Sequence, residues 1–145
     1  MHDELGEVQQ AQDDEEDVMQ GIGEDADYLL QDLVLLANEG LLIGITVTIG
    51  GTTITGNLIG GKSWFEEFTA QFDVVPDDRF RASLKERFGA YADIYKDEGK
   101  RTRAPFYIHL QGAKVVEKNG MLPNQGMLWR GRLSEISGFA LGSLS

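Results

Sequence analysis

The chain contains no cysteine. That excludes a disulfide framework and a thiolate metal site, and it fits a reducing compartment. Histidine is scarce as well, with only His2 and His109 present. His2 falls in the N-terminal segment. His109 alternates with Ile108 and Leu110, so it reads as a satisfied structural histidine of a strand, with a partner contact as the sharper alternative. One ordered histidine without cysteine builds a zinc site only if carboxylates join it, and no ligand spacing recruits them. No metal site and no cofactor are expected. Long apolar runs are missing too. The longest, Leu33 to Ala37, falls far short of the roughly 20 residues that span a membrane as a helix. The opening residues Met1-His2-Asp3-Glu4 lack the basic region and apolar core of a secretory signal. The expectation is a soluble, cytoplasmic protein with no membrane partner.

Basic residues are absent from residues 1–27, which hold eleven acidic ones, including the run Asp13-Asp14-Glu15-Glu16-Asp17. The remaining 13 of the 24 acids are matched by 13 Lys and Arg. The whole net charge of −11 therefore resides in this segment. Like-charge repulsion and scattered apolar residues predict a disordered acidic tail over 1–27, followed by a single domain over 28–145. A chain of 145 residues suits one domain with one core.

Periodicity organises that domain. Asp25 or Asp27 can cap a helix in which Leu29, Leu30, Leu33, Val34, Leu36 and Ala37 form a broad apolar stripe, with Gly40 as its stop. Ile43, Ile45, Val47 and Ile49 alternate with Gly44, Thr46 and Thr48, predicting a strand with one buried face. Gly50-Gly51 supplies a primed turn into a second strand, Thr52 to Ile59. Ser63 and Glu66 have the spacing of a capping box before Phe65, Phe68 and Phe72 at helical intervals. A further helix follows Pro76-Asp77-Asp78, with Phe80, Leu84, Phe88, Tyr91 and Ile94 or Tyr95 along its stripe. Phe106 to Leu110 and Ala113 to Val116 predict a strand, Glu117 to Gly126 a turn-rich connection, and Met127 to Leu144 two short strands meeting near Ser137-Gly138. The fold class expected is α+β: an antiparallel β-sheet or small open barrel with helices packed on one side. The helix followed by a bent, Gly-rich hairpin matches the pattern of Sm-like barrels, an analogy of pattern only.

No catalytic constellation emerges. Gly50-Gly51 and Gly56 to Gly61 match neither a Walker loop nor a dinucleotide fingerprint. Glu66 and Glu67 are adjacent on a helix and point apart, and Ser134, Ser137 and Ser143 lack a nucleophile-elbow context. Lys100, Arg101 and Arg103 form a short basic cluster, and Arg130 and Arg132 share one face of a strand of period two. The domain is nonetheless neutral and its tail repels phosphates, so an Sm-like nucleic-acid-binding module is kept only as the alternative. A hydrolase using carboxylates ranks behind it.

Two stretches are more specific than composition. One runs from Ile45 through Gly50-Gly51 to Gly60-Gly61-Lys62-Ser63-Trp64-Phe65. The other joins Phe106-Tyr107-Ile108-His109-Leu110 to Leu128-Trp129-Arg130-Gly131-Arg132-Leu133-Ser134-Glu135-Ile136-Ser137-Gly138-Phe139-Ala140-Leu141-Gly142. Together they resemble the gas vesicle accessory protein GvpU family over about Tyr28 to Ser145. The acidic segment is not part of that pattern. The resemblance implies a non-enzymatic, cofactor-free, non-shell component of the buoyancy organelle, supporting its assembly or clustering. Its partners would be the gas vesicle shell, other accessory proteins or further copies of itself. The residues singled out for partner binding are Trp64, His109, Trp129, Arg130, Arg132 and Phe139, with core packing as the plainer reading of Trp129 and Phe139. The terminal strand is a candidate sheet edge through which a homo-oligomer would form.

Overall fold

The computed structural model describes residues 20–95 and 103–145. Most of the acidic segment and the basic stretch Lys96 to Thr102 lie outside them, so the expected tail over its first nineteen positions is not addressed. The chain enters the described region at Gln20, whose carbonyl accepts from the Ala104 N–H at 2.8 Å and which forms a parallel bridge with Arg103. Gly23 N–H donates to Gln31 Oε1 at 2.7 Å.

Helix α1 spans Tyr28–Asn38, with the Asp27 carboxylate accepting from Leu29 N–H as its N-cap. Strands β1 (Ile43–Ile49) and β2 (Thr52–Ile59) form the expected hairpin. Its turn requires left-handed backbone at Gly50 and Gly51, with φ of 53° and 82°, which glycine adopts without a steric penalty. Helix α2 spans Gly61–Ala70 and leads through a 3₁₀ turn, Gln71–Val74, to helix α3, Asp78–Gly89. A second 3₁₀ segment covers Ala90–Tyr95. Strands β3 (Tyr107–Glu117), β4 (Gly120–Arg132) and β5 (Ile136–Leu141) complete the chain, with a 3₁₀ turn at Leu133–Glu135.

Several local expectations change. Ser63 does not cap α2. The N-cap is Gly60, without a side-chain bond, and Asn38 Oδ1 accepts from Gly61 N–H instead. The connection read over Glu117 to Gly126 shrinks to the turn at Lys118-Asn119, and Pro123-Asn124 lie within β4. Pro123 is tolerated there because β4 is an edge strand, where a missing N–H leaves no neighbour unpaired. The break between the last two strands falls at Leu133–Glu135 rather than at Ser137-Gly138.

All neighbouring strands are antiparallel, in the order β4-β3-β2-β1-β5. This is the α+β class with an open five-stranded sheet, and chain connectivity shows how strongly that sheet curls. Arg132 pairs with Tyr107 at one end of β3. Ile136 pairs with Ile49, which lies level with Thr52 and hence with the opposite end of β3. In a flat sheet the two would stand four strand spacings apart, roughly 19 Å sideways alone. The few peptide steps between them reach roughly 14 Å at full extension. The sheet must therefore roll toward a half-closed barrel. Register shifts interrupt β2 between Thr55 and Asn57 and β3 between Leu110 and Ala113. At the bend a Cβ on Gly56 would stand 3.0 Å from Ala113 Cα, and one on Gly126 2.7 Å from Gly112 Cα. Only glycine allows strands this close.

The concave face carries the main core. Ile45, Val47, Ile54, Leu58, Ile108, Leu110 and Ala113 pack against Leu30, Val34 and Ala37 of α1 and against Leu133. The helices are not all on that side. On the convex face Ile59 and Leu128 meet Trp64, Phe65 and Phe68 of α2, with Ala92 and Tyr95 of the second 3₁₀ segment. Neighbours such as Leu58 and Ile59 thus serve different layers, because successive strand side chains point to opposite faces. Helix α3 packs on α2 rather than on the sheet. It buries none of its residues fully, and Phe80 and Tyr91, read as stripe residues, remain exposed.

Candidate functional site

Of the six residues singled out, three meet on the convex face. His109 on β3 is 2% exposed and is enclosed by the rings of Trp64, Phe65 and Tyr95, at centroid distances of 5.1, 5.6 and 5.9 Å. Arg130 lies directly across the ladder from His109, and its Nε donates to His109 Nε2 at 3.2 Å. His109 Nε2 must then carry a lone pair, which assigns the ring proton to Nδ1. The Arg130 guanidinium lies 3.6 Å from the Tyr107 ring centroid and 5.8 Å from that of Phe65. A planar guanidinium combines such stacking with hydrogen bonding, which a lysine ammonium does less well.

Around this pair the aromatic rings continue outward. Trp64 stacks on Phe68, Phe68 meets Phe72 and Phe88 edge-on, and Phe88 stacks on Tyr91. Trp64, Phe65, Phe68, Phe88 and Tyr91 line an open cleft of about 420 Å³ together with Arg130. Trp64 Nε1 is buried without a hydrogen-bond partner among the described residues. Trp64 and His109 are therefore interior groups of the convex layer, and Arg130 is the exposed member of the trio.

The other three are elsewhere. Arg132 is exposed and lines a separate cleft of about 750 Å³ with Gln20, Glu24, Asp25, Arg103 and Phe106. Trp129 and Phe139 are half-buried against the concave core, together with Ile136. Trp129, Leu133 and Ile136 face the concave core, while Arg130 and Arg132 are both exposed. Trp129 also explains its glycine neighbour. A Cβ on Gly131 would come within 2.3 Å of the indole ring, which lies over that position. Leu133 is 1% exposed, and its N–H donates to Phe106 O at 2.8 Å. The C-terminal signature thus encodes the rolled end of the sheet: an indole folded over a glycine, a buried leucine at the turn, then Ile136 and Phe139 closing the core.

Sequence reasoning passed over the exposed apolar groups. On α1, Leu29 and Leu36 lie two turns apart on one face and are 54% and 43% exposed, with Tyr28 beside them and Leu42 just beyond. The signal was present, since this helix is apolar almost all the way round. On β5, Leu141 is 59% exposed. Among the described residues no group of His, Asp and Glu is arranged to hold a metal ion, and no helix is long and apolar enough to cross a membrane.

A family model for gas vesicle protein GvpU-like proteins matches residues 27–144, from the cap of α1 to just past β5. Comparison with curated proteins and with solved structures finds no match. The family match covers nearly the whole described domain and includes the C-terminal signature, so the chain belongs to the GvpU-like family of gas vesicle proteins.

Proposed function

We propose that the chain is a non-enzymatic, cytoplasmic accessory protein of gas vesicles, supporting their assembly or clustering by binding the shell, other accessory proteins or further copies of itself. The observation that carries this reading is the apolar face of α1 that no described residue covers, with Leu29 and Leu36 about half exposed. Large apolar side chains grouped on one exposed helix face are the usual material of an interaction surface. Family membership supplies the context. Co-sedimentation of the purified chain with intact gas vesicles over a range of salt tests it. The wild type should co-sediment, and Leu29→Ser with Leu36→Ser should lower the bound fraction several-fold while the melting temperature holds. Absence of binding at every salt concentration would overturn direct association with the vesicle.

A further inference from the structure

We infer that β5 is a self-complementary edge through which two copies of this chain form a two-fold dimer. The hydrogen-bond phase of the sheet fixes which groups face outward. Gly142 N–H donates to Gly44 O at 2.8 Å, so Gly142 and Gly44 form a hydrogen-bonded pair. In an antiparallel ladder these alternate with non-bonded pairs. Given the pairings Leu141 with Ile45, Ala140 with Thr46, Phe139 with Val47 and Gly138 with Thr48, Ala140 and Gly138 bond to β1. The N–H and C=O groups of Phe139 and Leu141 point to the open edge. Beyond Gly142 the chain turns inward across the sheet, with Leu144 N–H on Thr55 Oγ1 at 2.7 Å. No described segment pairs with the outer edge of β5.

That edge has none of the usual blocks. Ile136–Leu141 reads Ile-Ser-Gly-Phe-Ala-Leu, with no charge and no proline, and such an edge is a template for another strand. A second β5 placed antiparallel about an axis at Ala140 sets Phe139 opposite Leu141 of the second copy, and Leu141 opposite its Phe139. Both are hydrogen-bonded positions, so the outward groups of all four residues are satisfied. The same register brings two apolar cross-strand pairs together on the concave side. It covers Leu141, which is otherwise 59% exposed.

The other free edge, β4, is a poorer partner. Leu133 N–H bonds to Phe106 O, so by the same phase Arg130 and Arg132 present the outward groups of β4. Pairing β4 with itself would set arginines against arginines. Pairing it with β5 would set Phe139 and Leu141 against arginines, one of which is already engaged with Tyr107 and His109. The β5 dimer deepens the proposed self-association. It is read on the purified chain alone, so its failure is separable from a failure to bind vesicles.

Because the chain lacks cysteine, a single introduced thiol reports the register. Ala140 faces its own copy as a non-hydrogen-bonded pair, whose Cα atoms lie about 4.5 Å apart, within disulfide reach. Under mild oxidation full-length Ala140→Cys should form a covalent dimer visible on a non-reducing gel, whereas Gln125→Cys on β4 should not. In sedimentation equilibrium the wild type should dimerise reversibly with concentration. Ala140→Lys, which sets two charges side by side at the axis, should raise the dissociation constant at least tenfold with an unchanged circular dichroism spectrum. A wild type that stays monomeric at several hundred micromolar overturns the proposal. So does an assembly indifferent to Ala140→Lys, or one larger than a dimer that dissolves on Arg130→Glu, which would move the interface to β4.

Discussion

Gly131 shows how one small residue governs a large one. It lies in a regular part of the β3–β4 ladder, opposite Ile108, with no left-handed backbone angle to require glycine. The requirement comes from Trp129, whose ring lies where a Cβ would project. Gly131→Ala should therefore push the indole out of the concave core at a cost of about 1–3 kcal/mol, the usual penalty for overpacking. The measurements are urea unfolding and a red shift of tryptophan emission. Gly138→Ala is the contrast. Its Cβ would meet Thr48 Oγ1 at 3.4 Å, close to ordinary contact, so stability should stay within about 0.5 kcal/mol. The sequence places both glycines in one C-terminal stretch, Leu128 to Gly142. It could not separate them, because the neighbour that matters is a side chain whose rotamer depends on the rolled sheet.

At the scale of elements, legibility followed the range of the interaction. The β1–β2 hairpin was readable because alternation and the turn glycines are encoded within a few residues. The cap Asp27, one of two candidates with Asp25, is local in the same way, its side chain accepting from Leu29 N–H two residues ahead. The start of α2 was misread because its cap is long-range: Asn38, at the end of α1, accepts from Gly61 N–H at 2.9 Å. Asn38→Ala should cost about 1 kcal/mol, the typical value of a lost N-cap, and Ser63→Ala should change stability by less than about 0.5 kcal/mol. Thermal melts of the two variants decide between the long-range cap and the capping box. Helix α3 was over-read in the same way. Its apolar stripe is genuine, but it meets other rings of the helical arm, such as Phe72, rather than the sheet, and so stays partly wet. Of the candidate site, pairing by period two placed Arg130 and Arg132 on one face, yet nothing local foretold that His109 would lie beneath Trp64.

For the molecule as a whole, the join between acidic segment and domain is open to a direct measurement. Removing residues 1–19 should leave stability unchanged. Removing residues 1–27 deletes the Asp27 cap, the Gln20 bridge to Arg103 and the Gly23 bond to Gln31, and should cost about 1–3 kcal/mol in urea unfolding. Equal stability of the two truncations would place the boundary at Tyr28, where composition alone draws it. Net charge locates the acidic segment, and the hydrogen bonds of Gln20 and Gly23 to the domain are what the two truncations weigh against it.

The rolled sheet, lined on both faces, has one further consequence. The chain has two tryptophans, and the sheet separates them: Trp129 belongs to the concave layer and Trp64 to the convex one. Each layer thus carries its own fluorescent reporter. Trp64→Phe leaves an emission signal from the barrel side, and Trp129→Phe leaves one from the helical arm. Because α3 fully buries none of its residues, the arm should loosen first as a separate unit. The signal from Trp64 should then shift at lower urea than that from Trp129. Coincident transitions would mean instead that the sheet transmits every disturbance from one layer to the other, and that the two cores melt as one.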